Sequence, residues 1–180
     1  MRRLDTLSAG PDRLRSGTWR GDPTVALLGP TAGIAPSQTG LARAVDELSR
    51  RGFRSVLTPA LTHSEQQPFL AHGFEVHERL HLLRRDLYAP PVAATDSARL
   101  RRGRRTDVSA VLAVDGAAFD PFWRFDRSGL ADARTATPTH RFRVAVDRGR
   151  IVGYHVTGRA GALGYLQRLA VHPDHHGRGL

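Results

Sequence analysis

The stretch LQRLAVHPDHHGRGL, Leu166–Leu180, decides how the rest of the chain is read. Its first half is an apolar strand, and Pro173 then bends the chain out of the sheet. Gly177 and Gly179 permit positive φ, so successive amides can point into one concavity, and Arg178 adds a charged fork. Such a nest suits a pyrophosphate. A loop of this kind normally hands over to a helix whose unpaired N-terminal amides complete an anion site. Leu180 is the last residue of the sequence, so the expectation is a site cut short at its C-terminal side.

Working back from that loop, RFRVAVDRGRIVGYHV alternates Phe142, Val144 and Val146 before the turn sequence DRGR, a hairpin signal. GAAFDPFWRF and SGLADARTA read as two short helices around a loop. DVSAVLAVD reads as a strand, because Val108, Ala110, Leu112 and Val114 alternate. Asp86 to Thr106 lacks apolar periodicity, and its run RLRRGRR, Arg99–Arg105, reads as a solvated linker rather than a nucleic-acid arm.

Before the linker, TVALL (Thr24–Leu28) reads as a buried strand. TGLARAVDELSRRGF places Leu41, Ala44, Val45 and Leu48 at i, i+3, i+4 and i+7, a helix with Thr39 as N-cap and Gly52 as its stop. RSVLT follows as a strand, SEQQPFLAHG as a short helix ending at Gly73, and EVHERLHLL as a further strand. Strand, helix, strand is the pattern of a parallel crossover.

Composition bounds the function. The chain has 180 residues, 40% of them hydrophobic, which is enough to build a core. It contains no cysteine, hence neither a disulfide framework nor a thiolate metal site. No run of apolar residues is long enough to span a membrane, and the reading is a cytoplasmic protein. A net charge of +10 would favour polyanions, but all 27 basic residues are arginine and they are spread along the chain. A basic nucleic-acid-binding module therefore rests on charge alone.

A hairpin with IVGY, a strand ending RLAVHP and a basic G-x-G loop resemble the GCN5-related N-acetyltransferases over about Asp107–Leu180. The loop of that family reads Q/R-x-x-G-x-G/A. Laid on this sequence it puts His176 at the Q/R position, Gly177 and Arg178 at the free positions and Gly179 at the first glycine. Leu180 takes the next position, and the last Gly/Ala has no counterpart. Histidine thus replaces Gln/Arg.

The resemblance implies an α/β fold, an α+β mixed sheet of the acyl-CoA N-acyltransferase type, incomplete at the C-terminus. Acetyl-CoA would be co-substrate, held by backbone groups of Leu169 and Val171 and by amides of His176, Gly177, Arg178, Gly179 and Leu180. The acceptor would be a primary amine on a small molecule or peptide.

The first half resembles the opposite end of the same family, with GLARAVDELSRRGF through EVHERLHLL following the order found after the cofactor loop. Where many members carry a tyrosine as general acid, this chain has Phe69. The expected organisation is a degenerate half unit at 1–87, a Pro/Arg-rich linker at 88–106, and the N-terminal part of a second unit with the cofactor loop at 107–180.

No general acid or base is assigned. Tyr165 and His155 are the titratable candidates on the strands near the loop, each also readable as a sheet residue. His172, His175 and His176 read as a solvated turn rather than a metal site. Phe119, Phe122, Trp123 and Phe125 read either as an acceptor pocket or as an apolar face packed on the sheet. Two further alternatives stay open: a non-catalytic relative that binds a partner, and a homodimer.

Overall fold

The computed structural model describes residues 5–31, 34–87 and 99–179. The chain divides between Asp86 and Leu87 into two compact units. The class is mixed α/β, with two four-stranded sheets and four α-helices among the described residues.

The first unit begins with a hairpin, β1 (Asp5–Ala9) against β2 (Asp12–Thr18). Leu7, Ala9, Leu14 and Ser16 are buried at every second position, and Gly10 turns the chain with φ 70°. Strand β3 (Val25–Pro30) lies antiparallel to β2 and parallel to β4 (Ser55–Leu57). Helix α1 (Gln38–Arg50) makes the crossover, and α2 (His63–Ala71) follows β4. The predicted stripe is the one buried: Leu41, Ala44 and Leu48 of α1 pack on Ala26 and Leu28 of β3 and on Phe69 of α2.

Helix α1 is capped by Ser37 rather than Thr39, its hydroxyl accepting from the Gly40 amide at 3.0 Å. That hydroxyl donates in turn to the Asp12 carboxylate on β2. A tertiary partner, invisible in the local sequence, selects the cap. At the other end the Gly52 stop holds, with φ 93° and the Phe53 amide donating to the Leu48 carbonyl at 3.2 Å.

EVHERLHLL does not form its expected strand. Residues 74–87 contain no helix or strand, and Leu82 is 98% exposed. Alternation by itself does not hold a strand without ladder partners, and no described strand pairs with these residues.

The second unit contains β5 (Arg99–Arg102), α3 (Val108–Ala118), α4 (Arg127–Thr135), β6 (Thr139–Asp147), β7 (Arg150–Ala160) and β8 (Leu163–Val171). The sheet order is β5-β6-β7-β8, antiparallel throughout. The β6–β7 turn is as read, with Arg148 at φ 46° and Gly149 at φ 79°, the left-handed pair of a tight hairpin.

Two expectations for this unit are corrected. Arg99–Arg102 is not linker but the edge strand β5, paired with Arg143–Val146. A ladder uses backbone groups, so arginines serve at an edge, where charge also discourages further pairing. Gly103 follows because a Cβ there would collide with the Phe142 ring. The rest of the proposed linker, 88–98, lies outside the described residues.

DVSAVLAVD is a helix, not a strand. Val111, Val114 and Asp115 are its buried residues. The helical face was hidden because one of its core positions is an aspartate, so an apolar-only pattern scored the alternation instead. Asp107 sits at the helix start, taking two hydrogen bonds from Arg101 at 2.7 and 2.9 Å and one from the Arg104 amide at 2.7 Å.

Candidate functional site

Strand β8 delivers the glycine loop. It pairs with β7 on one side and, among the described strands, is an edge of its sheet. The register runs Val171 opposite Gly153, Leu169 opposite His155, Arg168 opposite Val156, then Leu166 opposite Thr157, so Gln167 is an extra residue, a bulge. After β8 the His172 amide still donates to the Val152 carbonyl at 2.8 Å, and Pro173–His175 closes one 3-10 turn.

From there the chain opens. Gly177 and Gly179 have φ 72° and 71°, and a Cβ at either would meet nothing within 4 Å. The His176 ring turns back to the Val171 carbonyl at 2.9 Å. The Arg178 guanidinium donates to the Asp174 carbonyl at 2.9 Å. One expected contributor is lost, because the His176 amide donates to Pro173 at 3.1 Å and closes the 3-10 turn. Leu180 lies outside the described residues.

Leu169 is 51% exposed and, by register, shares a sheet face with His155. Tyr165 is opposite Gly158, three positions along β7 from His155. Strand alternation therefore puts Tyr165 and His155 on opposite faces, and the fold does not bring them together. Burial, with the Arg143 charge across the strand pair, pushes the His155 imidazole below its ordinary 6.5. Both effects favour the neutral imidazole.

The densest polar constellation on β8 lies outside the residues singled out by sequence. Arg168, on β8 beside the bulge, donates to Asp115 of α3 through Nε at 2.8 Å and through a terminal nitrogen at 2.9 Å. The same guanidinium donates to the Trp123 carbonyl at 2.7 Å. It lies 3.5 Å from the Phe119 ring centroid and 4.1 Å from that of Phe125. Asp115 also accepts from the Tyr154 hydroxyl at 2.5 Å and from the Phe125 amide at 2.6 Å.

Burial pushes the Asp115 carboxyl up, but the guanidinium, the amide and the hydroxyl together hold it below its ordinary 3.8. Burial and the Asp115 carboxylate drive the Tyr154 phenol well above its ordinary 10.0. The group is an ion pair whose carboxylate accepts four hydrogen bonds, tying α3, β7, β8 and the aromatic loop 119–125 together. Two of the four aromatics read as pocket or packing thus flank an arginine, while Phe122 and Trp123 stack edge to face at 5.0 Å. The available signal was a polar pair, Asp115 and Arg168, each at a core-facing register of its element.

In the first unit, the start of α1 is occupied by a side chain of β2. Asp12 reaches Ser37 at the start of α1, and a Cβ on Gly40 would run into the Asp12 side chain. Its own carboxylate stands at that helix terminus. Phe69 is buried in the core, edge to face with Phe74 at 5.3 Å.

No protein-family model matches the chain, and no curated protein matches it. Among solved structures it is similar to the ribosomal-protein-S18-alanine N-acetyltransferase of Escherichia coli, at 16% identity and TM-score 0.41, over 46% of this chain and 50% of that one. The likeness is to N-acetyltransferases. A GCN5-related glucosamine N-acetyltransferase region in a fungal multi-domain GH3 beta-N-acetylglucosaminidase is similar at 17% identity and TM-score 0.43, over 87% of this chain and 22% of that one. The chain thus spans about half the length of the first structure and about a fifth of the second. No helix among the described residues is long and apolar enough to cross a membrane.

Proposed function

We propose that the second unit binds acetyl-CoA and that the protein is an N-acetyltransferase acting on a primary amine of a small molecule or peptide. The observation that carries this reading is the pair of left-handed glycines, Gly177 and Gly179, one 3-10 turn beyond an edge strand that already carries a bulge. Amides beside such glycines can converge on one anion, and Arg178 lies between them. The open edge of β8 supplies backbone groups for an extended ligand in the manner of an added strand.

Acetyl-CoA would supply an activated thioester. For the acceptor nitrogen to form its bond to the acetyl carbon, the carbon–sulfur bond breaks, the amine gives up a proton and the departing sulfur gains one. Positioning and a backbone donor at the carbonyl oxygen supply most of the advantage in such a transfer. On the face shared with Leu169, the neutral His155 imidazole is the group able to accept the amine proton through water. Tyr165, on the other face, is not used in this scheme. The two-unit organisation, with a worn first copy whose helix terminus is closed by Asp12, belongs to the same reading.

Titration calorimetry with acetyl-CoA tests it. Heat of binding that disappears in a Gly177→Val, Gly179→Val double variant is the expected result, and absence of heat with the parent overturns the reading. A partner-binding role without catalysis draws on the exposed apolar side chains Leu163, Tyr165, Leu166 and Leu169 along β8. Dimerisation in light scattering without coenzyme binding would favour it.

A further inference from the structure

We infer that Arg168 is a positioning residue that couples the coenzyme strand to the aromatic loop 119–125; this rests on the acetyl-CoA reading above. The side chain leaves β8 immediately after the Gln167 bulge and one residue before Leu169, whose backbone the ligand would use. Its guanidinium ends among groups of the loop: the Trp123 carbonyl, the Phe119 ring and the Phe125 ring. Asp115, wholly buried, accepts from both the fork and the Phe125 amide, the two meeting at its Oδ1.

A planar fork with two parallel bonds to a carboxylate has little freedom to swing, and an 11% exposed side chain has little water to lean on. Displacement of β8 is therefore passed to the loop rather than absorbed. Lysine keeps the charge but neither the fork nor the stacking. The inference predicts that coenzyme occupancy on β8 is sensed at Trp123 through Arg168.

The chain has 2 tryptophans, so a Trp19→Phe background leaves Trp123 as the single reporter. Acetyl-CoA is titrated into this parent and into Arg168→Lys, following binding by calorimetry and Trp123 by emission and acrylamide quenching, with circular dichroism confirming the fold. The expected result is a saturable Trp123 response in the parent that is lost in Arg168→Lys while heat of binding persists. Asp115→Asn, which keeps the shape but weakens the fork, is expected to reduce the response in the same way. Binding with no Trp123 response in the parent, or an equal response in parent and Arg168→Lys, overturns the inference and leaves the coenzyme reading standing. No binding to the parent overturns both.

Discussion

Arg168 and Asp115, separated by 53 residues in sequence, meet through two near-parallel hydrogen bonds of 2.8 and 2.9 Å in the core of the second unit. Removing one partner leaves the other as an uncompensated buried charge, at a cost of about 3–5 kcal/mol. Asp115→Ala and Arg168→Met are each expected to destabilise by that order in urea unfolding. In a double-mutant cycle the second substitution should cost less than it does alone.

Tyr154 donates to that same carboxylate, and its raised ionisation carries a sign. In the folded state the phenol stays protonated above the pH at which it would ionise when unfolded. The associated stability is full below pH 10 and is lost as pH rises beyond it. A spectrophotometric titration should find one of the chain's 3 tyrosines silent until unfolding, and Tyr154→Phe should remove that silent component.

Asp107 works in the opposite direction. The Arg101 guanidinium, opposed by burial and aided by the Arg104 amide, lowers its carboxyl from 3.8 to about 2. Its contribution is present above pH 3.8 and is lost as pH falls toward 2. Acid unfolding of Asp107→Asn, followed by circular dichroism, should show a shallower dependence in that window than the parent.

Gly40 lies in a helix, where alanine would ordinarily be favoured by about 1 kcal/mol. Here an added Cβ meets the Asp12 side chain, including its Cβ at 2.8 Å, which cannot swing away without moving β2. Overpacking of this kind costs about 1–3 kcal/mol. Gly40→Ala should therefore lower the melting temperature, and Gly40→Ala combined with Asp12→Gly should recover part of the loss.

Gly177 and Gly179 face open space, so their substitution should act through backbone conformation alone. Valine at either position disfavours the left-handed φ by about 1–2 kcal/mol. Acetyl-CoA affinity is expected to fall about tenfold per substitution, with the melting temperature little changed, as read by calorimetry and thermal unfolding.

Sequence alone determined the elements whose cause is local. The stripe of Leu41, Ala44 and Leu48, the stop at Gly52, the Arg148-Gly149 hairpin and the glycine-spaced loop after β8 all follow from side-chain period and permitted φ, which neighbours in the chain dictate. Only the tertiary structure decided the rest. Asp12 chose Ser37 as the cap of α1, a free edge on β6 made arginines into β5, and Arg168 turned Asp115 from a polar interruption into a core residue of α3. In each case the deciding partner is distant in the chain, and a buried charge or an unpaired strand becomes favourable only once folding brings that partner within hydrogen-bonding reach.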